Sequence, residues 1–259
     1  MMAQVRNKLD RNGVKIHYEV HGNGPVLLLS HGYSSTCRMW DGQIAAFKDR
    51  YQVVVWDMRG HGESDYPSDA AAYSEELTVA DMTAILDTVG AKKAIVAGLS
   101  LGGYMSLAFH ATHPERVRAL MLFDTGPGFK KDEARAKWNE SARARAAKFD
   151  AEGLKALNQS DEVKLTRHRN ATGLAGAARG MLAQKNDRVI RSLEGIAVPT
   201  LVLVGANDTN FLAATDYMAA KIRGSSKVVI PNAGHAANLH QPALFNQAVE
   251  AFLAGLSAA

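Results

Sequence analysis

Short apolar runs that alternate with helical patterns constrain the fold of this 259-residue chain more than any other feature. Most of the runs are continuously apolar, as expected for strands that are buried on both faces of a sheet. The segments between them repeat apolar residues at helical spacing, over residues 77–89, 100–113 and 242–253. This alternation predicts a doubly wound α/β fold with a mainly parallel sheet. The predicted strands are residues 14–20, 26–29, 52–56, 94–97, 117–123, 200–204 and 227–230.

The alternation is interrupted between residues 124 and 193, where the sequence is rich in Ala, Lys and Arg. This stretch has 15 Lys and Arg against 9 Asp and Glu, a net charge of +6, whereas the rest of the chain has a net charge of −2. We expect residues 125–192 to form a helical cap over the carboxyl edge of the sheet, where α/β sheets bind ligands. Residues 1–124 and 193–259 would form the core domain.

The distribution of charge favours some partners over others. The basic residues of the cap are scattered through helical sequence without interleaved aromatics, which is typical of a solvated helix face and not of a nucleic-acid site. A basic cap that favours anionic substrates stays open as an alternative. We expect no nucleic-acid partner, and a monomer and a homodimer are both compatible with the sequence.

Two further absences narrow the class of protein. The lone Cys37 allows no internal disulfide and no multi-cysteine metal site. No apolar run approaches the ~18 residues of a membrane helix, and residues 1–10 lack the apolar stretch of a signal peptide. We therefore expect a cytoplasmic protein without a membrane partner.

The sequence Gly98-Leu99-Ser100-Leu101-Gly102 is the strongest chemical signal. It follows a predicted strand directly and precedes a predicted helix, the context in which a G-x-S-x-G turn exposes a nucleophilic serine. The sharp turn crowds the backbone, so the flanking positions must be small. Ser100 is therefore the candidate nucleophile, and the alternative role is a helix N-cap.

A serine hydroxyl needs a base, and the base needs an orienting acid. His235 follows the last predicted strand and is the candidate base. Asp208 follows the strand at 200–204 and is the candidate acid, with Asp124, which also ends a strand, as the alternative. All of these positions lie at carboxyl ends of strands, which meet at one edge of a parallel sheet.

The loop Ser30-His31-Gly32-Tyr33 follows the strand at 26–29. We expect the backbone N–H groups of Tyr33 and Leu101 to form an oxyanion hole, and His31 to be structural. The candidates for substrate contact are aromatic side chains near the expected pocket mouth: Trp40, Phe129, Trp138 and Phe211.

Taken together, these motifs resemble the α/β-hydrolase fold superfamily over nearly the whole chain. The resemblance includes the stretch 57–64, which looks like a structural signature turn, and the segments 205–208 and 234–235. It implies an eight-stranded sheet with a cap, the chain order Ser100, Asp208, His235 for the catalytic residues, and no metal or organic cofactor. The similarity is greatest to esterase, enol-lactonase and cofactor-free haloperoxidase-like members, and to carbon–carbon bond hydrolases.

Three departures from the family pattern bear on function. Ser100 stands where epoxide hydrolases and haloalkane dehalogenases carry Asp, which argues against both activities. Ala236 stands where carbon–carbon bond hydrolases usually have a bulky aromatic, and His240 replaces a frequent Glu. The sequence predicts a hydrolase of a small carboxylic ester or lactone. The alternatives are a carbon–carbon bond hydrolase, thioesterase or perhydrolase with the same triad, and a non-catalytic, receptor-like ligand-binding protein.

Overall fold

Seven of the eight strands in the sheet coincide with the apolar runs in the sequence. The computed structural model describes residues 5–257. The strand order is β1-β2-β4-β3-β5-β6-β7-β8, with β1 and β2 antiparallel to their neighbours and the remaining pairs parallel. The strands are β1 (Val5–Arg11), β2 (Val14–His21), β3 (Val26–Ser30), β4 (Gln52–Trp56), β5 (Ala94–Leu99), β6 (Val117–Phe123), β7 (Thr200–Gly205) and β8 (Ser226–Ile230).

Helices cover both faces of this sheet, which confirms the doubly wound prediction. Alternate residues of each strand point to opposite faces, so neighbours such as Leu27 and Leu28 belong to different hydrophobic clusters. The helices are α1 (Asp41–Phe47), α2 (Glu75–Thr88), α3 (Leu101–Thr112), α4 (Asp132–Glu152), α5 (Asp161–Lys164), α6 (Ala171–Ala177), α7 (Arg188–Arg191), α8 (Leu212–Lys221), α9 (Ala237–His240) and α10 (Pro242–Ser257). One hydrophobic cluster packs against α2, α3 and α8, and the other packs against α1 and α10.

Four elements of the core were not predicted from the sequence: β1, α1, α8 and the single turn α9. The first strand, at the edge of the sheet, has Val5 and Leu9 as its only apolar residues, so it lacks a continuous apolar run. The two longer helices bury few side chains, Gln43, Ile44 and Phe47 in α1 and Thr215 and Met218 in α8, which leaves a weak periodic pattern.

Residues 125–192 lie between β6 and β7 and contain helices and loops but no strand among these described residues. A π-helical turn, Ala178–Leu182, continues α6 directly. Phe149 of α4 and Leu174 of α6 join three alanines in a small hydrophobic cluster of their own. We propose that this segment, hereafter the cap, is the unit expected from the sequence.

The signature turn at 57–64 holds the edge of the core together. Arg59 forms a bidentate ion pair with the buried Asp81 of α2, with nitrogen–oxygen distances of 2.6 and 2.9 Å. Asp57 accepts hydrogen bonds from the backbone N–H groups of Cys37 and Glu63. These contacts agree with the scaffolding role expected for the turn.

None of the helices within residues 5–257 combines the length and the apolar character needed to cross a lipid bilayer.

Candidate active site

Ser100 occupies a sharp turn between β5 and α3. Its backbone has φ 55° and ψ −117°, a left-handed conformation that residues other than glycine rarely adopt. A Cβ on Gly98 would lie 2.3 Å from the backbone of Gly102, and one on Gly102 would lie 2.2 Å from the carbonyl oxygen of Ser30. Only glycine therefore fits at these two positions, as the motif predicts. The backbone N–H of Ser100 donates to the carbonyl of Phe123, which ties the turn to β6.

Asp208 and His235 form a hydrogen-bonded pair beyond the ends of β7 and β8. The Nδ1 atom of His235 lies 2.7 Å from Oδ2 of Asp208, whose side chain is buried. Since the carboxylate accepts this bond, Nδ1 carries the proton and Nε2 is left as the basic atom. Burial lowers the pKa of His235, but the hydrogen bond and the charge of Asp208 outweigh it and raise the pKa above its ordinary value of 6.5. The ring of Phe211 stacks on the imidazole at 5.2 Å.

Asp124 lies near this pair but is bonded elsewhere. It ends β6 with φ 47°, is fully buried, and accepts a hydrogen bond from the N–H of Gly205 through Oδ1 at 2.8 Å. Its Oδ2 atom has no hydrogen-bond partner within residues 5–257. Burial raises the pKa of this carboxyl to about 8, and the nearby charge of Asp208 adds to the shift. Because His235 takes its hydrogen bond from Asp208, the geometry favours Asp208 over Asp124 as the acid.

The expected oxyanion donors lie at two chain segments that meet at Ser100. Leu101 is the first residue of α3, where a helix leaves N–H groups without an intrahelical acceptor. Tyr33 follows β3, and its phenol donates to the carbonyl of Leu174 in the cap at 2.9 Å. A Cβ on Gly32 would touch Cβ of Ser100 at 3.4 Å, so this loop runs directly past the serine.

Two buried histidines fix the loop that contains Tyr33. His31 bonds the carbonyl of Gly32 through Nδ1 at 2.7 Å and accepts from the N–H of Met58 through Nε2 at 2.9 Å. His61 accepts from the N–H of Ser34 through Nε2 at 3.2 Å, and its Nδ1 bonds a backbone carbonyl. Burial lowers the pKa of both rings. The hydrogen bonds require neutral rings, so His31 is structural, as expected.

A third histidine, His168, reaches the same loop from the cap and was not singled out from the sequence. Its Nε2 lies 3.0 Å from the carbonyl oxygen of Ser34, and its Nδ1 accepts from the N–H of Gly62 at 3.3 Å. The ring lies 5.7 Å from that of His61. Burial lowers the pKa of His168 as well, although the charge of Asp57 opposes the shift. A lone histidine in the helical segment 125–192 carries no sequence signal for this role.

Two cavities meet at Ser100. The first, here called the apolar chamber, has a volume of about 370 Å³ and is lined by Ser100 together with, among others, Tyr104, Phe129, Ile190 and Tyr217. The second, the polar chamber, has a volume of about 230 Å³ and is lined by Ser100 together with, among others, Tyr33, Arg145, Glu162 and His235. Both chambers share a wall formed by Trp138, Leu182, Asn210 and Phe211.

Three of the four aromatic residues expected at the pocket lie there. Phe129 lines the apolar chamber, and Trp138 and Phe211 line both chambers. Trp40 does not: it is fully buried in the core, 6.1 Å from the ring of Phe123, and lines neither chamber. The expectation for Trp40 is corrected, because the short helix that precedes α1 turns its indole inward, under the sheet.

His240 has a local role on the loop that precedes the candidate base. Its Nδ1 accepts a hydrogen bond from the N–H of Gly234 at 2.9 Å, and its Nε2 lies 3.4 Å from Asp161 of the cap. The histidine that replaces the family's Glu therefore supports the backbone beside His235.

One group of side chains has the composition of a metal site. His17, Glu19 and Cys37 offer ligand atoms within 4.8 Å of one another. Glu19 already bonds His17 and His21, and the guanidinium of Arg38 lies 2.6 Å from it. Because Arg38 supplies the positive charge that a cation would bring, we assign this cluster a structural role.

Comparison with known proteins agrees with this geometry. A sequence profile of the α/β-hydrolase fold matches residues 25–172. The chain is 30% identical to 3-oxoadipate enol-lactonase 2 of Acinetobacter baylyi, over 96% of each protein. It superposes on the enol-lactonase of Burkholderia xenovorans with a TM-score of 0.79 and 27% identity, over 96% of this chain and 100% of that one. The corresponding values for a thermophilic esterase of Thermogutta terrifontis are 0.83 and 27%, over 98% and 99%. The chain belongs to the α/β-hydrolase fold family.

Proposed function

We propose that this protein is a serine hydrolase that cleaves a carboxylic ester or lactone of a small organic molecule through an acyl-enzyme on Ser100. The observation that carries the proposal is the 2.7 Å hydrogen bond between Asp208 and His235 at the cavity that Ser100 also lines. The relatives named as enol-lactonases and an esterase support the same reaction class.

Acylation begins when Nε2 of His235 takes the proton of Ser100 as Oγ attacks the carbonyl carbon. The N–H groups of Tyr33 and Leu101 donate to the oxyanion that forms. Each such donor lowers the barrier by about 3 kcal/mol. The carbon–oxygen bond to the leaving alcohol then breaks, and His235 passes its proton to that oxygen.

Deacylation repeats the sequence with water as the nucleophile. His235 takes a proton from the water, the tetrahedral intermediate uses the same donors, and Ser100 recovers its proton as the acid leaves. Asp208 keeps Nδ1 protonated and stabilises the imidazolium in both halves. No step in this scheme calls for a metal or an organic cofactor.

The test is turnover of p-nitrophenyl butyrate by the wild type, Ser100→Ala and His235→Ala. We expect loss of about three or more orders of magnitude in kcat for both variants. Ser141→Ala, on the exposed face of α4 and outside both chambers, is the matched control and should retain wild-type turnover. Mass spectrometry after treatment with a serine-reactive phosphonate should locate the adduct on the peptide that contains Ser100.

The other reactions open to the same residues are distinguished by substrate. Each is assayed beside the ester and a simple lactone. A vinylogous diketone tests carbon–carbon bond hydrolysis, and a thioester tests thioesterase activity. Hydrogen peroxide with a carboxylic acid tests perhydrolase activity. Tight ligand binding with negligible turnover of every compound would contradict the enzymatic proposal and favour a receptor-like role. The cytoplasmic location and the choice between monomer and homodimer stay predictions.

A further inference from the structure

The two chambers at Ser100 differ in chemistry. Of the described residues that line the apolar chamber, none carries a charge. Besides the Ser100 hydroxyl, its polar side-chain groups without a hydrogen bond within residues 5–257 are the amides of Gln184 and Asn210 and the phenol of Tyr217. The polar chamber, in contrast, is lined by Arg145, Glu162 and His235. A substrate that spans Ser100 therefore meets an apolar wall on one side and charged groups on the other.

Three polar groups of the apolar chamber are already bonded to the protein. The phenol of Tyr104 donates to Glu75 at 2.8 Å, the indole N–H of Trp138 donates to the carbonyl of Leu182 at 2.8 Å, and the hydroxyl of Thr125 donates to the carbonyl of Ser100 at 2.6 Å. These side chains present rings and a methyl group to the space that they line. A charged substituent placed there would lose water without gaining an opposite charge.

The position of His235 determines which part of an ester enters each chamber. The base must hand its proton to the leaving oxygen, so the leaving group has to lie on the side of the imidazole. His235 lines the polar chamber and not the apolar one. The acyl group, which stays bonded to Oγ of Ser100 after the alcohol leaves, is then directed into the apolar chamber.

The charges of the polar chamber oppose one another. Arg145 comes from the basic helix α4, but Glu162 of α5 lines the same space and Asn158 adds a neutral amide. One cation and one carboxylate do not select a leaving group with net charge. The positive charge of the cap thus extends over its outer surface without making this chamber a site for anions.

We propose that the apolar chamber is the acyl subsite, and that the substrates are esters of apolar carboxylic acids larger than acetate, aliphatic or aromatic, with a neutral polar alcohol as leaving group. This inference rests on the proposed serine hydrolase function and adds the substrate class to it. The larger volume on the acyl side, about 370 against 230 Å³, agrees with the assignment. In the reaction, the Oγ–acyl bond forms, the bond between the acyl carbon and the alkoxy oxygen breaks, and water later releases the apolar acid.

The decisive experiment compares two isomeric esters, ethyl octanoate and octyl acetate, which present the same atoms in opposite orientations. We expect kcat/KM for ethyl octanoate to exceed that for octyl acetate by about tenfold or more, since several methylene groups are buried only in the first orientation. For p-nitrophenyl esters, kcat/KM should rise from the acetate through the butyrate to the octanoate, and the benzoate should also exceed the acetate. Equal or reversed preference for the isomers would overturn the assignment.

Substitution of Ala214, which lines the apolar chamber from α8, tests the location of the acyl group. Ala214→Phe should lower the ratio of kcat/KM for the octanoate to that for the acetate by about tenfold, and circular dichroism with thermal unfolding shows whether the variant is folded. Ala220→Phe, at an exposed position on the same helix, is the matched control and should change neither. Tyr217→Ala enlarges the chamber and should move the preferred acyl length upwards.

The outcomes separate this inference from the proposed function. Turnover that depends on Ser100 but favours acetate, or that Ala214→Phe lowers equally for all acyl lengths, would refute the acyl subsite alone. If the wild type and Ser100→Ala were equally inactive on every ester and on the lactone, the serine hydrolase proposal itself would be wrong.

Discussion

Replacement of Asp208 by Asn removes the negative charge next to His235 and preserves the size of the side chain. The carboxylate lies 2.7 Å from Nδ1 and is buried, so water cannot replace it easily. An amide can turn its NH₂ group towards Nδ1, which would move the ring proton to Nε2 and remove the base. We expect kcat to fall about 10⁴-fold, the size of effect seen when a triad acid is replaced by its amide, equivalent to about 5 kcal/mol of barrier.

Asp124→Asn is the matched control, since it makes the same change in a buried carboxyl next to the pair. The pKa of Asp124 is raised to about 8, so at pH 7 this group is mostly neutral, and an amide replaces a carboxylic acid without loss of charge. We expect kcat within about threefold of wild type at pH 7. Its Oδ1 position keeps the hydrogen bond from Gly205 in the variant.

The raised pKa of Asp124 also predicts that the stability of the fold decreases with pH. Between pH 3.8 and about 8 the folded chain keeps a proton on Asp124 that the unfolded chain releases. Stability from this group therefore falls as the pH rises through that range. Asp124→Asn removes the effect, and its free energy of unfolding at pH 7 should exceed that of the wild type by up to about 4 kcal/mol. Denaturant titrations at pH 5 and pH 7 would show the difference growing with pH.

Steady-state kinetics from pH 5 to pH 9 test the effect of Asp208 on the pKa of His235. The base must be neutral to act, so wild-type kcat/KM should fall as the pH drops through a value above 6.5, the raised pKa of His235. In Asp208→Asn this acid limb should move to lower pH, because the charge that raises the pKa is gone. The assignment of the acid would be refuted if Asp124→Asn lost activity a hundredfold or more while Asp208→Asn kept it.

Three further outcomes follow from individual residues. Ser100→Gly should be more stable than Ser100→Ala by about 1 kcal/mol in thermal unfolding, because glycine adopts a φ of 55° without strain. The thiol of Cys37 is buried and its pKa is raised by burial, so a thiol reagent should label it only on unfolding, and Cys37→Ser should keep activity within about threefold. His168→Phe should lower kcat about tenfold with a smaller change in KM, since the Ser34 carbonyl in the oxyanion loop and the N–H of Gly62 lose their hydrogen bonds to this side chain of the cap; an unchanged kcat would contradict that positioning role.

Much of the core could be predicted from the sequence because burial on both faces leaves a continuous apolar signal. Six of the seven predicted runs form the parallel part of the sheet, including the three that precede Ser100, Asp208 and His235. The edge strand β1, half covered and rich in charge, leaves no such signal. Glycines required by close approach, such as Gly98, were likewise predictable, because the turn type dictates them.

The lining of the chambers could not be predicted in the same way. Tyr104 follows Ser100 by four residues on α3, a helical spacing that puts both on one face and was the one local signal available. Leu182, Ile190 and Tyr217 reach the site only through the packing of the cap and α8. Trp40 shows the opposite error, because an aromatic residue near a loop has the same sequence signature whether it faces a pocket or the core.

The cap contributes to the chemistry of the site as well as to its walls. Trp138 and Leu182 separate the two chambers. His168 bonds the carbonyl of Ser34, the neighbour of Tyr33, and accepts from the N–H of Gly62 in the signature turn. An oxyanion donor is effective only within a few tenths of an ångström of its acceptor, so a shift of the cap changes transition-state stabilisation and substrate fit together. A cap exchanged for that of a relative without a histidine at this position should therefore lower kcat even for the smallest ester, where the walls of the apolar chamber are not used. A change confined to KM would mean that the oxyanion loop keeps its geometry without the cap.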